Sequence, residues 1–476
     1  MTRHIPAESR QYARSPVRGF GGPYRRLMAN LGTAPGFVIW LGMNAGLAFL
    51  MQWRPTAATL HAGLVVMGAL VVGISGTRSS VLTLAAYIAG TEILWRMAGA
   101  GTPWLLGEYA LILLLGLGLL RWRRRPPLIG LLYLLPLLVS VPLTFDAISN
   151  LEQARQAMAF NLAGPVALFM AFWFATTMSQ HRVDPQMALL TFLGPAFGVA
   201  TLALQSLVSA EAVEFTDASN FVASGGFGPN QVASVLSLGL LFVLLQRFMV
   251  KWRGPRRWVL SGLAIFLAFQ TALTFSRSGL AMTVGAFAVT LALAFRRRRQ
   301  RLAVLTSGTV MACLFALVLV PGLERVTHGS FSQRYTNPSL TGRETIAKTD
   351  LQIWQENPVL GVGPGVATRM RTSLMGQRVA GHTEFTRMLA EHGVFGLVSL
   401  VALVSILAQL VLRSGRFYLG PAAAGIAVWV ILYMAVNAFR LVLPAFGIGL
   451  AVILMASTRS GPGPMFRMAP GRSPRA

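Results

Sequence analysis

Residues 103–145 read PWLLGEYALILLLGLGLLRWRRRPPLIGLLYLLPLLVSVPLTF. Two apolar runs, near 103–120 and 127–145, flank the basic cluster Arg121-Trp122-Arg123-Arg124-Arg125. Each run has about the 17–25 residues that a helix needs to cross a hydrocarbon core of about 30 Å. The arginines between them mark the face on which positive charge is retained during insertion. The same alternation extends in both directions, with further runs near 35–51, 57–75, 80–98, 158–178, 187–208, 229–247, 258–275, 278–295, 302–320, 393–412, 419–436 and 441–456. Together they predict an all-α polytopic membrane protein of about fourteen spans.

Composition agrees. Of 476 residues, 54% are hydrophobic and only 12% charged, against roughly 45–50% and 25% in a soluble domain. A net charge of +26 would point to nucleic acid in a soluble chain; here it follows topology, and no nucleic-acid partner is expected. With the tail before Pro35 (Arg3, Arg10, Arg14, Arg18, Arg25, Arg26) inside, alternation also puts Arg121 to Arg125, Arg247 to Arg257, Arg296 to Arg301, Arg413, Arg416 and the C-terminal tail inside. Both termini are then cytoplasmic. The first apolar run follows a long basic tail and has spanning length, so no cleavable signal peptide is expected; the tail suits contact with anionic lipid. A single cysteine, Cys313, excludes an intramolecular disulfide, and no Cys/His cluster suggests a metal.

The predicted organisation is a cytoplasmic tail (1–34), eleven spans (35–320), a long outer loop (321–392), three spans (393–456) and a second tail (457–476). The loop breaks the charge rule, because Arg325, Arg334, Arg343, Lys348, Arg369, Arg371, Arg378 and Arg387 all lie on the side that should be poor in them. A loop of this length in a tight membrane protein is the place to look for chemistry.

Within the loop, Thr341-Gly342-Arg343-Glu344 has the form of a capping box, with Thr341 as N-cap and a Glu344/Lys348 pair one turn on. Ile346, Ala347, Leu351, Ile353 and Trp354 mark an apolar face of a surface helix that stops before Asn357-Pro358. Arg343 opposes the helix dipole unless an anion binds there, although a solvated surface arginine reads equally well locally. The next stretch, Asn357-Pro358-Val359-Leu360-Gly361-Val362-Gly363-Pro364-Gly365, lacks the spacing of a nucleotide loop. It reads as a sharp turn with backbone close to a helix or a ligand. At the end of the loop, Thr383 is a candidate N-cap, Phe385, Met388 and Leu389 share a helical face, and His382 sits at the helix entrance. A lone histidine there is a structural residue or a base; His392 reads as a partner of the helix C-terminus.

The order TGRE, an amphipathic helix, ENPVLGVGPG and then HTEFTRMLAEHGVFGL, from Thr341 to Leu397, resembles the O-antigen ligase and O-antigen polymerase family. Gly228-Pro229-Asn230-Gln231 and Thr274-Phe275-Ser276-Arg277-Ser278-Gly279 resemble it too. Thr383 and Phe385 depart from the asparagine and tyrosine that often follow the histidine. The resemblance implies a GT-C-type glycosyltransferase of the bacterial inner membrane. Such an enzyme moves a glycan from an undecaprenyl-diphosphate carrier to a hydroxyl of a glycan, lipid or protein acceptor on the periplasmic side. It implies His382 as general base and Arg277 and Arg343 as ligands of the donor diphosphate.

Those residues suit the chemistry. Arginines offer forked, permanently charged donors to a diphosphate, so neither metal nor cofactor is expected. A base near the working pH assists a weakly nucleophilic hydroxyl, and neighbouring arginines keep His382 neutral until an anion binds. Glu384 stands beside it as an orienting group or alternative base. Attack opposite the diphosphate inverts the anomeric centre. A polymerase extending the glycan on its carrier is the alternative. A transporter or flippase would show ionisable residues within the membrane; Glu92 and Arg96 are the main such pair, read here as mutually neutralised.

Overall fold

The computed structural model describes residues 30–178, 185–216, 218–249, 254–337, 342–376, 379 and 381–457. Residues 1–29 and 458–476 of the two tails, Thr341 and Arg378 lie outside them. Among the described residues there are helices and turns but no strand. In chain order the helices are α1 (Ala34–Trp53), α2 (Pro55–Ser75), α3 (Arg78–Met97), α4 (Leu106–Trp122), α5 (Leu128–Leu138), α6 (Val141–Ala147), α7 (Leu151–Thr177), α8 (Pro185–Ser209), α9 (Pro229–Met249) and α10 (Pro255–Leu273). They continue with α11 (Arg277–Phe295), α12 (Arg301–Leu314), α13 (Val320–Thr327), α14 (Ser330–Thr336), α15 (Arg343–Glu356), α16 (Val366–Met375), α17 (Glu384–Arg413), α18 (Gly420–Val436) and α19 (Leu443–Ser457).

Among the described residues nine helical segments are long and apolar enough to cross a membrane, with α18 and α19 as shorter apolar helices. The protein is a multi-pass membrane protein. Three segments that the apolar runs also counted as spans, α3, α4 and α10, are less clear-cut for visible reasons. Arg78, Glu92 and Arg96 lie in α3, α4 has only 17 residues, and Arg256 and Arg257 open α10. The run near 127–145 is divided, α5 ending at Leu138 and α6 beginning at Val141 with Pro142 in its first turn. The run near 302–320 passes through a π-helical turn, Phe315–Leu319. Pro321 follows at once, and a proline ring clashes with the carbonyl four residues back, so the widened turn relieves it.

The lipid-facing and packed sides separate by residue type. Leu60, Leu64, Leu302, Leu317 and Leu412 are exposed, as expected where hydrocarbon is the solvent, whereas α8, α9, α18 and α19 are buried along much of their length. Helix α8 packs on α1 and α3, α11 on α18, α19 on α7, and α17 on α5 and α18. At one end of the bundle, arginines close helix ends. Arg121 donates to the Gly76 carbonyl at 2.6 Å, and Arg297 donates to the Tyr418 and Ser414 carbonyls at 2.9 and 3.1 Å. The opposite end gathers the start of α9, the α10–α11 hairpin, the entrance of α17 and the α18–α19 connection.

The glycine-rich stretch binds the long segment to that end. Gly361 and Gly363 have φ of 67° and 97°, and their turn runs along α17: the Val362 amide donates to the Ala390 carbonyl at 3.1 Å, and Gly363 to Glu391 at 2.9 Å. Helix α17 is itself broken at Gly393 (φ 59°, ψ −136°). A Cβ there would lie 2.4 Å from the Val359 carbonyl oxygen, and one at Gly361 2.5 Å from the His392 nitrogen. Two bare backbones touch, which requires glycine on both sides.

Candidate functional site

Helix α15 starts from Gly342, which has the left-handed conformation (φ 78°) and gives no side-chain cap. The capping role read for Thr341 lies outside the described residues. Glu344 pairs with Lys348 at 2.8 Å on the exposed side. The inward stripe is Ile346, Asp350 and Ile353, while Leu351 is exposed; the apolar face read from the sequence is displaced because Asp350 is drawn inward by a partner. That partner is Arg371 of α16, fully buried, whose Nη1 donates to Asp350 Oδ1. Arg371 also donates to Thr368 Oγ1 at 3.0 Å and to the Val379 carbonyl at 3.2 Å, and Asp350 Oδ2 accepts from Thr386 Oγ1 at 2.9 Å. One ion pair thereby joins α15, α16 and the entrance of α17.

At that entrance Thr383 is the N-cap, its Oγ1 accepting the Thr386 amide at 3.1 Å. The first turns carry a buried triad at helical spacing. Arg387 donates to Glu384 (Nε, 2.9 Å) and to Glu391 (Nη1, 2.6 Å). Glu384 Oε2 also accepts the Phe439 amide at 3.0 Å. Glu384 is thus fully buried with both oxygens engaged. Its geometry is that of an orienting group; a free base would need an accessible oxygen. His392 differs from its reading as a helix-end partner: its Nδ1 meets Ser140 Oγ at 2.6 Å inside the bundle.

His382 lies one residue before the cap, half-buried, with no hydrogen-bond partner among the described residues. Burial, reinforced by Arg343, Arg440 and Arg371, pulls its imidazole down to about 4. Arg343 is itself lowered, by burial and then by Arg277 and Arg334. His382 and Arg343 are therefore neighbours, as are Arg343 and Arg277. Arg277 opens α11 and donates to the Asn337 carbonyl, and Arg334 donates to the Phe275 carbonyl at 3.1 Å, so α14 is tied to the hairpin. The two short stretches outside the long segment meet here, Ser276 Oγ donating to Asn230 Oδ1 at 2.8 Å.

Just past Arg277 on α11, Leu280, Thr283 and Val284 line an apolar groove with Ile265 of α10 and Phe315 and Val318 of the π turn. Cations thus stand at the head of an apolar slot. Six arginines, Arg277, Arg334, Arg343, Arg371, Arg387 and Arg440, share this region with three carboxylates, Asp350, Glu384 and Glu391. Such an excess attracts a multiply charged anion.

Sequence reasoning singled out His382, Arg277, Arg343 and Glu384, named Arg371 only among the basic residues of the loop, and passed over Asp350 and Arg440. Asp350 lay within a helix read for its apolar residues. Arg440 carried a usable signal: it is an arginine in a short connection that the predicted topology puts on the outer face. The Glu92/Arg96 pair is mutually bound at 2.7 Å, Arg96 also donates to Gln231 and to the Trp104 carbonyl, and the buried Glu108 of α4 stands 3.7 Å from Arg96.

No curated protein matches the chain. Residues 262–401 match the family model described as O-antigen ligase, a stretch running from α10 through Arg277, the arginine-rich segment and His382 into α17. Over these residues, which hold all four site candidates read from the sequence, the chain is similar to the O-antigen ligase family.

Proposed function

We propose that the protein is an O-antigen ligase-like glycosyltransferase of the bacterial inner membrane. It has about fourteen spans, cytoplasmic termini and its 321–392 segment on the periplasmic face. The donor is a glycan on undecaprenyl diphosphate. Arg277 and Arg343 hold the diphosphate, and the apolar groove beyond Arg277 suits the first units of the prenyl chain. His382 takes the proton of the acceptor hydroxyl; the oxygen attacks the anomeric carbon, and the bond to the diphosphate breaks with its electron pair passing to the phosphate oxygen. Attack from the opposite side inverts the centre. Arginines supply the charge that the leaving group needs, so the transfer is proposed as metal-independent. Glu384 acts by holding the entrance of α17 and not on the substrate.

The observation that carries this reading is the half-buried, neutral His382 beside Arg343, whose guanidinium has no partner among the described residues. The test is reconstitution of the purified protein with an undecaprenyl-diphosphate glycan and a hydroxyl acceptor. Loss of transfer by on the order of 10²–10⁴ in His382→Ala, with folding and donor binding kept, is expected. Near-normal turnover by that variant would remove the base. Product that remains on the carrier would mark a polymerase.

A further inference from the structure

Between α18 and α19 the chain crosses the end of the bundle as a short strap, residues 437–442, pinned more firmly than a connection needs. The Phe439 amide donates to Glu384 Oε2 at 3.0 Å, the Val442 amide to Glu92 Oε2 at 2.9 Å, and Arg96 Nη1 to the Arg440 carbonyl at 3.2 Å. Phe439 also lies so close to α7 that a Cβ on Gly164 would come within 2.6 Å of its carbonyl oxygen. Two buried carboxylates from distant parts of the chain thus fix the backbone on either side of one residue. Burying a carboxylate in a membrane protein is costly, and rigid support of this kind is what a side chain needs when it must be aimed.

The residue so held is Arg440. Ala438, Phe439, Leu441 and Val442 are buried, but Arg440 is half-buried. Its guanidinium lies 5.2 Å from the Phe160 ring centroid, and its Nε is shielded from solvent with no hydrogen-bond partner. The strap meets the base through Glu384, which follows His382 by two residues and binds Phe439, the residue before Arg440. Arg343 has Arg277 and Arg334 as its charged neighbours, whereas Arg440 has Arg387, Arg371, Glu384 and Glu391. Both cations bear on the His382 imidazole. A desolvated guanidinium with a free donor is unfavourable alone, and an anion relieves it.

We propose that Arg440 is an anion-binding residue of the His382 site, aimed by the Glu92–Arg96 pair and Glu384, and that it takes a phosphate or carboxylate oxygen of a substrate. This deepens the glycosyl-transfer reading and rests on it. The anion belongs either to the donor diphosphate or to an acidic group on the acceptor.

The experiment compares wild type with Arg440→Ala, Arg440→Lys and Arg440→Gln as full-length proteins in nanodiscs. KM is measured for donor and acceptor separately, with binding of undecaprenyl diphosphate as an arm that needs no turnover. Arg440→Ala should raise one KM by on the order of 10–100-fold with melting temperature unchanged. Lys should recover only part, since an ammonium lacks the fork. A donor KM that moves together with undecaprenyl diphosphate affinity assigns the anion to the donor, and an acceptor KM that moves alone assigns it to the acceptor. Unchanged KM values and unchanged affinity overturn the proposal. So does a fall in melting temperature and kcat common to Ala, Lys and Gln at constant KM, which would make Arg440 a strut. If wild type binds undecaprenyl diphosphate through Arg440 but transfers no glycan, the enzymatic reading fails and the anion site stands.

Discussion

The protonation of His382 offers the most searching test of the site, because its environment sets both the direction and the range of the effect. Burial comes first, followed by the charges of Arg343 on α15, Arg440 on the strap and Arg371 on α16, and together they lower the imidazole from 6.5 to about 4. The facing carboxylates, Glu384 and Asp350, are bound to Arg387 and Arg371 and offset little of this. In the unfolded chain the ring titrates near its ordinary value. As pH falls from 6.5 toward 4, the unfolded state takes up a proton that the folded state refuses, so stability is lost across that window. Above it the protein keeps the His382 ring neutral, as the proposed base requires. Donor binding places negative charge among the same arginines, which cancels the repulsion and raises the imidazole in the complex. The acid limb of kcat/KM, which reports the free protein, should therefore lie near pH 4, and that of kcat, which reports the complex, at higher pH. Arg343→Gln removes the largest charge contribution but leaves burial, so the kcat/KM limb should move up without reaching 6.5. Transfer is followed in nanodiscs from about pH 4 to 8 at limiting and saturating donor. A kcat/KM limb at 6.5 or above, unmoved by Arg343→Gln, would refute the assigned environment.

Other expectations are equally direct. Asp350→Ala should destabilise the 342–376 region by about 3–5 kcal/mol, because it strands the fully buried Arg371; Asp350→Leu with Arg371→Met should recover much of this, as read by limited proteolysis and thermal melting, and equal melting of all forms would count against the pair. Gly393→Ala should lower the melting temperature sharply, since its φ of 59° with ψ of −136° is a conformation open essentially to glycine alone and costs another residue about 1–3 kcal/mol before the contact with Val359 is counted; a wild-type melting curve would mean that the α17 break is unimportant. Arg277→Ala or Arg343→Ala should weaken donor use with poor rescue by Lys, and full activity with Ala at both would remove the diphosphate site. Finally, Ser330→Cys and Thr372→Cys, in a Cys313→Ser background because Cys313 is exposed, should react with an impermeant reagent in intact spheroplasts; reaction only after lysis would reverse the topology.

What could be read from the sequence, and what could not, divides by the range of the interactions involved. A bilayer forces long apolar runs and punishes any other pattern, so the helices were visible one by one. The entrance of α17 was visible as well, because Thr383 and the Thr386 amide it caps are three residues apart. So was the contact of the glycine-rich turn with a helix, since closely spaced glycines have few other physical uses. Asp350 with Arg371 and Glu92 with Val442 carry no such signal. Their partners are 21 and 350 residues away, and nothing in the local periodicity marks a charge that will be buried.

Arg440 belongs to an intermediate case. The charge rule that drew attention to the long segment, positive residues on the side that should be poor in them, applies equally to one arginine in a six-residue connection. It passes unnoticed because a single violation is weak evidence, whereas eight in one loop are not. The structure adds what the rule lacks. An arginine misplaced by chance would sit on a strap free to move, with its head group in water; this one has its backbone fixed by Glu384 and Glu92 and an Nε shielded from solvent. A charge that the predicted topology puts on the wrong side and that is also rigidly held is hard to account for by insertion or by packing alone, which is what the proposed anion site explains.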